Sequence, residues 1–388
     1  MENNTQVKQM ISEVFAELAS GLQTGSFAPR PRVGLTLLGS EHGPKEMLAG
    51  AELAQREDPS IEVVVIGGKA STSLTLIEAA DAGEAHKKMD AMLLNGELAA
   101  AVTMHYSFPI GVSTVGRAIT PALGKSMFIA NTTGTSDTER VAAMIKNAIS
   151  GIAVAKACGN PRPTVGLLNL DGARQAERAL CKLADAGYDI RFSESARADG
   201  GAMMRGNDLL QGVCDIMVMD SLTGNVLIKL LSAYNSGGSY EAIGDAYGPG
   251  VGRGYDRIIN IISRASGAPV VAGAIRFAGA CAKGSLLAKV EAEFAAAEKA
   301  GLSAVLAGLT GTGGKNAEAP REIAPPPEKV VTEEIPGIEI FALEDAARLL
   351  WQKGIYATSG MGCTGPVVLV AADDHEAALK YLKEGEYL

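Results

Sequence analysis

Cys214-Asp215-Ile216-Met217-Val218-Met219 runs directly into Asp220-Ser221-Leu222-Thr223-Gly224-Asn225-Val226-Leu227-Ile228-Lys229. The first six residues read as a buried strand, and the apolar positions from Gly224 to Ala233 read as the opening of a helix. A buried strand feeding a helix within a few residues is half of a strand–helix–strand unit, which requires a parallel partner strand. Such a junction aims several backbone N–H groups and a helix N-terminus at one point, and that favours an anion. Two readings of Thr223-Gly224-Asn225 follow. It is a phosphate-binding turn with Lys229 about a turn further on, or it is a tight connection that needs Gly224 for its geometry.

The same alternation extends both ways along the chain. Val33–Leu38, Ile61–Ile66, Ala99–Thr103, Ser126–Ala130, Thr164–Asn169, Asp189–Ser193 and Val270–Ala274 read as strands. Helices are expected from Pro44 to about Arg56, over Ser136–Lys156 with Asp137 or Ser136 as cap, over Gln175–Ala186, as a short turn over Asp208–Gly212, and over Ser285–Ala300. Strands that are nearly all apolar and alternate with helices predict an α/β protein, its parallel sheet covered on both faces. Ligands then belong at the carboxyl ends of the strands. Candidates on that edge are His42-Gly43 after the first strand and Asn131-Thr132-Thr133 after the Ser126–Ala130 strand. Gly248-Pro-Gly-Val-Gly252-Arg-Gly254 lacks a GK[ST] ending and reads as a flexible loop. Gly311–Gly314 lacks a dinucleotide-binding context.

The chain has 388 residues, 47% of them hydrophobic and only 5% aromatic, enough for two or three domains. A net charge of −9 argues against sequence-independent nucleic-acid or anionic-membrane binding. The five cysteines show no CxxC or metal-finger spacing, and no HxxxH or HExxH occurs, so no metal and no cofactor are expected. Reduced thiols, no signal peptide and no long apolar segment predict a cytoplasmic protein. Cys158, Cys181, Cys214 and Cys281 lie in apolar or helical runs and read as packing residues. His86 reads as solvated, His375 as a helix-start residue and His105 as a candidate ligand contact. Arg117 is either an anion ligand or a salt-bridged surface arginine.

The expected division is an N-terminal helix within residues 1–28, a body over 29–316, a Pro-rich linker over 317–335 and a small α+β unit over 336–388. That last unit reads as strand 338–342, helix 343–354, strand 355–357, a loop, strand 367–371 and helix 375–383. The loop is Thr358-Ser359-Gly360-Met361-Gly362-Cys363-Thr364-Gly365-Pro366. Glycines free the backbone and expose its N–H groups around the sulfur. Cys363 is therefore a thiol placed for reaction, or a cysteine in a turn between two strands. In the first case the N–H groups of Gly362, Thr364 and Gly365 would raise its thiolate fraction and hold an oxyanion.

Asp220-x-x-Thr223-Gly224-Asn225-Val226-x-x-Lys229 resembles the signature of the acyl-acyl-carrier-protein:phosphate acyltransferases of phospholipid synthesis, the PlsX-type enzymes. Val165-Gly166-Leu167-Leu168-Asn169 and Gly116-Arg117-Ala118-Ile119-Thr120-Pro121-Ala122-Leu123 resemble further stretches of that family, and the likeness spans roughly Val33 to Leu287. It implies a two-lobed body like that of phosphotransacetylase and isocitrate or isopropylmalate dehydrogenase. The family's first loop is replaced here by Leu37–Gly43, and its Gly-Asn-Thr-Gly loop by His105-Tyr106-Ser107-Phe108.

With the Gly-Met-Gly-Cys-Thr-Gly-Pro element, the whole chain is similar to the family of component C alpha subunits of the glycine (sarcosine, betaine) reductase complex. That resemblance implies an acetyl thioester on Cys363. The two-carbon unit would come from carboxymethylated selenoprotein A, and release to inorganic phosphate would give acetyl phosphate. It also implies a condensing-enzyme-like beta subunit as partner, and an oligomer. Thr223, Gly224, Asn225, Lys229, Arg117, His42, Gly43 and Asn131 are the candidates for the phosphate site. The rivals are a plain acyl-carrier-protein:phosphate acyltransferase, which has no use for Cys363, and a non-catalytic acetyl carrier or scaffold.

Overall fold

Ile216–Val218 is a strand, and the helix that follows begins at Ser221, three residues earlier than the apolar pattern suggests. The computed structural model describes residues 30–196, 201–310, 324–338, 342–362, 365–385 and 387–388, with Phe15, Leu18, Gly21 and Leu22 before them. The N-terminal helix expected within residues 1–28 falls almost wholly outside these.

In chain order the strands are β1 (Arg32–Thr36), β2 (Glu62–Ile66), β3 (Thr75–Ile77), β4 (Ala100–Thr103), β5 (Phe108–Pro109), β6 (Val112–Ile119), β7 (Ser126–Thr135), β8 (Thr164–Leu168), β9 (Arg191–Phe192), β10 (Met203–Met204), β11 (Ile216–Val218), β12 (Gly248–Val251), β13 (Ile259–Ile261), β14 (Glu333–Pro336), β15 (Ala357–Gly362) and β16 (Gly365–Val370). The helices are α1 (Pro44–Glu57), α2 (Ala82–Leu94), α3 (Arg140–Ala157), α4 (Ala173–Asp185), α5 (Gly206–Gln211), α6 (Ser221–Ala233), α7 (Ala268–Lys283), α8 (Leu286–Lys299), α9 (Leu302–Thr310), α10 (Leu343–Gln352) and α11 (His375–Glu384).

Twelve strands form one sheet in the order β10-β8-β11-β7-β6-β12-β13-β4-β1-β2-β3, with β9 beside β8. The run from β13 to β3 is parallel, and so is the run from β7 to β10. Between them β6 and β12 run antiparallel to their neighbours. The sheet is thus mostly parallel, as read, with an antiparallel seam that the sequence reading did not contain. Gly248–Val251, read as a flexible loop, lies buried in that seam as β12. Its glycines and proline carry no strand propensity, and pairing to β6 and β13 on both edges holds it.

Helices cover the sheet. α3 and α7 are almost entirely buried, and α7 absorbs Val270–Ala274, which read as a strand. A short apolar run cannot separate a buried strand from a buried helix, because a helix packed on all sides has no polar stripe to reveal its period. α3 is capped by Glu139, whose carboxylate accepts from Val141 N and Ala142 N, rather than by Ser136 or Asp137. No single helix among the described residues is long and apolar enough to cross a membrane.

β14, β16 and β15 form a second sheet, completed by β5 from the body in the order β14-β16-β15-β5. With α10 and α11 it encloses its own apolar cluster, including Ile335, Leu343, Leu350, Val368, Val370 and Leu382. The first strand of this unit is Glu333–Pro336, inside the expected linker, and not 338–342, of which residues 339–341 lie outside the described residues. The glycine-rich stretch read as a loop is strand instead: Gly360 pairs with Pro109, Met361 with Phe108, and Gly362 with Gly365. Cys363 and Thr364, which join β15 to β16 in the sequence, lie outside the described residues.

Candidate functional site

The carboxyl ends of β1, β4 and β13 lead into Glu41, Met104 and Ile262-Ser263-Arg264. These residues form one side of a cleft of about 390 Å³. The other side is Asn225 and Lys229 of α6 with Thr133 of β7, and Gly362 at the end of β15 completes the lining. The floor is apolar where Ile261, Ile262 and Met104 are buried. Tyr247 beneath it donates to Glu241 Oε1 at 3.0 Å, and burial together with that carboxylate pushes its phenol well above the ordinary range. Tyr247 therefore stays neutral and presents its ring, over which Lys229 Nζ sits 5.5 Å from the centroid.

Two cations, Lys229 and Arg264, face this cleft with one carboxylate, Glu41. Among the described residues neither cation is paired to an acid. The loops that carry them are fixed by backbone bonds: Glu41 N donates to the Arg264 carbonyl at 2.9 Å. Asn225 Nδ2 donates to the Thr132 carbonyl at 3.0 Å, which leaves its amide oxygen as the acceptor on the cleft side.

The structure brings together some of the sequence-derived candidates and separates others. Asn225, Lys229 and Gly362 share the cleft. Thr223 and Gly224 do not line it. The α6 N-terminus is already occupied by its own carboxylate, since Asp220 accepts from Thr223 N at 2.9 Å and from Thr223 Oγ1 at 3.1 Å. An anion at that terminus would have to displace Asp220. Gly224 lies against the backbone of Asn131, where a Cβ would stand 1.7 Å from the carbonyl oxygen.

Asn131, expected after its strand, is inside β7 and buried. Its side chain bridges Thr133 N and the Gly134 carbonyl. Arg117 is the salt-bridged alternative: Nε lies 2.6 Å from Asp245 Oδ2 and the guanidinium covers the Phe277 ring at 4.4 Å. His42 donates to the Ala265 carbonyl and packs on Tyr240, while Gly43 caps α1 with a φ of 81°. Neither borders the cleft, although their neighbour Glu41 does.

Other histidine and cysteine readings change as well. His86 is half-buried and bonded to Thr103 Oγ1 at 2.8 Å, not solvated. His375 is the first residue of α11 and makes no cap. His105 Nε2 lies 3.1 Å from Glu334 Oε1, which ties the segment after β4 to β14. Cys214 and Cys281 are buried, and burial pushes the Cys214 thiol up to about 12. Cys158 sits with Sγ 3.9 Å from that of Cys281, whereas Cys181 is exposed on α4 and is not a packing residue. No group of three His, Cys, Asp or Glu among the described residues is arranged to hold a metal.

Sequence reasoning missed Arg264, Thr133 and Glu41. Arg264 carried a usable signal, since Ile258-Ile259-Asn260-Ile261-Ile262 is a β-branched run and the residues just beyond such a strand border the ligand edge.

A family model described as fatty acid synthesis protein matches residues 31–369. The glycine/sarcosine/betaine reductase complex component C subunit alpha of Peptoclostridium acidaminophilum is 54% identical over 378 residues, covering 97% of this chain and 98% of that one. The phosphate acyltransferase of Brevibacillus brevis is 26% identical over 242 residues, 51% of this chain and 69% of the relative. That of Thermus thermophilus is 26% identical over 235 residues, with 51% and 70% covered. A cleft that joins two unpaired cations to the Asn225–Lys229 helix, on a chain alike throughout to one subunit and over half its length to phosphate acyltransferases, belongs to the fatty acid synthesis protein family and, within it, to the homologues of the component C alpha subunit.

Proposed function

We propose that this chain is the acyl-transfer subunit of a glycine, sarcosine or betaine reductase complex, in which Cys363 holds an acetyl group as a thioester and inorganic phosphate displaces it to give acetyl phosphate. The observation that carries the reading is that Gly362, bonded directly to Cys363 in the chain, lines the same cleft as Lys229 and Arg264. A cleft with two unpaired cations suits a phosphate dianion, which needs no general base because it is already charged. Asn225 and Thr133 supply polar groups beside them, and the apolar floor of Met104, Ile261 and Ile262 suits a two-carbon acyl group.

The chemistry follows from these parts. A thioester carbonyl is electrophilic and a thiolate leaves readily. The phosphate oxygen attacks the acyl carbon, the carbon–sulfur bond breaks, and the thiolate is regenerated. Holding both reactants in line contributes about 7–11 kcal/mol, and one aimed oxyanion donor contributes roughly 2.7–4 kcal/mol. The condensing-enzyme-like beta subunit and the carboxymethylated selenoprotein A of the complex would supply the acyl group in this reading. The body's likeness to phosphate acyltransferases supports a catalytic rather than a scaffold role.

The test uses acetyl phosphate and the purified chain. Intact mass should rise by one acetyl group in the wild type and not in Cys363→Ser. Arsenate-dependent loss of acetyl phosphate by the chain alone would place catalysis within it. Loss that persists undiminished in Cys363→Ser would end the thioester reading and leave a plain acyltransferase.

A further inference from the structure

An imidazole and a carboxylate that are 229 residues apart in sequence meet at the end of the β15 hairpin. His105 Nε2 lies 3.1 Å from Glu334 Oε1, and Ser107 Oγ donates to the same oxygen. The second carboxylate oxygen, Oε2, lies 2.6 Å from where a Cβ on Gly362 would stand. His105 and Ser107 come from the segment between β4 and β5, and Glu334 from β14, so two sheets converge on one point. The antiparallel register of β15 on β5, Gly360 to Pro109 and Met361 to Phe108, leads residues 105–107 along the hairpin's closed end. The side chains of His105 and Glu334 are 35% and 31% exposed, so the pair is reached from solvent.

Stability alone gives little reason for such a grouping, because a part-exposed ion pair contributes about 0–1 kcal/mol. A carboxylate bound to one ring nitrogen has a well-understood chemical use. It fixes the tautomer and orientation of an imidazole that must take a proton from a nucleophile. With Nε2–H donating to Glu334, the basic nitrogen of the neutral ring is Nδ1. The other titratable group that faces His105 is His86 of α2, whose imidazole is held below its ordinary value by burial and then by the charge of His105.

We infer that His105 accepts the proton of the Cys363 thiol when that sulfur is acylated, and that Glu334 and Ser107 are positioning residues for the ring. This rests on the thioester reading above. With acetyl phosphate as donor, the sulfur–carbon bond forms and the carbon–oxygen bond to phosphate breaks. The thiol proton passes to the imidazole and then to the departing phosphate. In the forward direction the same imidazole, protonated, stabilises the leaving thiolate.

The experiment is alkylation of the full chain by iodoacetamide from pH 5.5 to 9.5, with the Cys363 peptide followed by mass spectrometry. Wild type, His105→Gln and Glu334→Gln are compared, and the buried Cys214 serves in each as an internal reporter of folding. At pH 7 the wild-type rate should exceed that of His105→Gln by about tenfold, the variant following an ordinary thiol that titrates near 8.5. Glu334→Gln should fall between them. Superimposable profiles with Cys214 unreactive in all three proteins would overturn the inference. A separate arm, intact mass after acetyl phosphate, tests the carrier reading. A wild type that shows the fast, His105-dependent alkylation but takes up no acetyl group keeps the thiol–imidazole pair and overturns the carrier reading alone.

Discussion

Each wall of the cleft contains a glycine with no room for a side chain, and the two are crowded by different things. On α6, a Cβ at Gly224 would stand 1.7 Å from the Asn131 carbonyl oxygen, a backbone atom of a central strand. On β15, a Cβ at Gly362 would stand 2.6 Å from Glu334 Oε2 and 3.0 Å from Val367 Cγ1, the outer atoms of side chains. The α6 wall is therefore rigid, with helix and sheet in backbone contact. The β15 wall is adjustable, because a carboxylate can turn aside. Glycine here marks close approach in both places, and neither place is a flexible loop. The body holds the anion-facing groups still, and the hairpin presents its sulfur through contacts that can be remade.

The largest expected effect tests the rigid wall. Alanine normally stabilises a helix relative to glycine by roughly 0.5–1 kcal/mol. At Gly224 that gain is outweighed, since α6 would have to move by more than an ångström from β7, and overpacking of this kind typically costs about 1–3 kcal/mol and more when backbone is struck. Gly224→Ala should fail to accumulate as folded protein. A urea midpoint equal to or above that of the wild type would show that α6 can slide and would dissolve the contrast.

The second effect separates the cations that hold the body from those that face the cleft. Arg117 and Asp245 are 20% and 14% exposed, so Arg117→Met leaves a mostly buried carboxylate unpaired. The loss should lie at the low end of the roughly 3–5 kcal/mol seen when one partner of a buried pair is removed. The half-saturating phosphate concentration should not change. Lys229→Met should do the reverse. Its stability should stay within about 0.5 kcal/mol of the wild type, as for an exposed side chain without partners. Its half-saturating phosphate concentration should rise about tenfold, the equivalent of roughly 1.4 kcal/mol. Equal phosphate defects in the two variants would mean that Arg117 reaches the anion after all.

What the sequence disclosed follows the same division. Strand–helix alternation was readable because buried parallel strands are apolar runs, so β1, β2, β4, β8 and β11 lie where expected to within a residue or two. α7 was misread over Val270–Ala274 because a helix buried on every side is apolar on every side. β12 was misread because Gly248-Pro249-Gly250 has no strand signal, and only its neighbours make it a strand. Asn225 and Lys229 were readable because four residues on one helix share a face. Arg264, Thr133 and Glu41 reach the cleft only through the order of strands in the sheet, which no local pattern records. The pairing of His105 with Glu334 is more remote still, since it depends on β14 and β5 bordering a second sheet.

The smallest expected effect tests the adjustable wall. In Gly362→Ala the new methyl group meets Glu334 Oε2, the free end of a side chain, and Val367 Cγ1 at a distance that a few tenths of an ångström relieve. The stability change should stay within about 1 kcal/mol, well short of the Gly224 variant, because rotating a part-exposed carboxylate costs little. That rotation also withdraws the oxygen that orients His105. The alkylation rate of Cys363 at pH 7 should then fall by about threefold, less than on removal of the imidazole, while phosphate half-saturation stays as it was. A stability loss as large as that of Gly224→Ala would mean that the hairpin is held as rigidly as α6. An unchanged stability with an unchanged alkylation rate would mean that Glu334 does not set the ring. Only the split outcome, a folded protein with a slower thiol, fits a cleft built of one fixed wall and one yielding one.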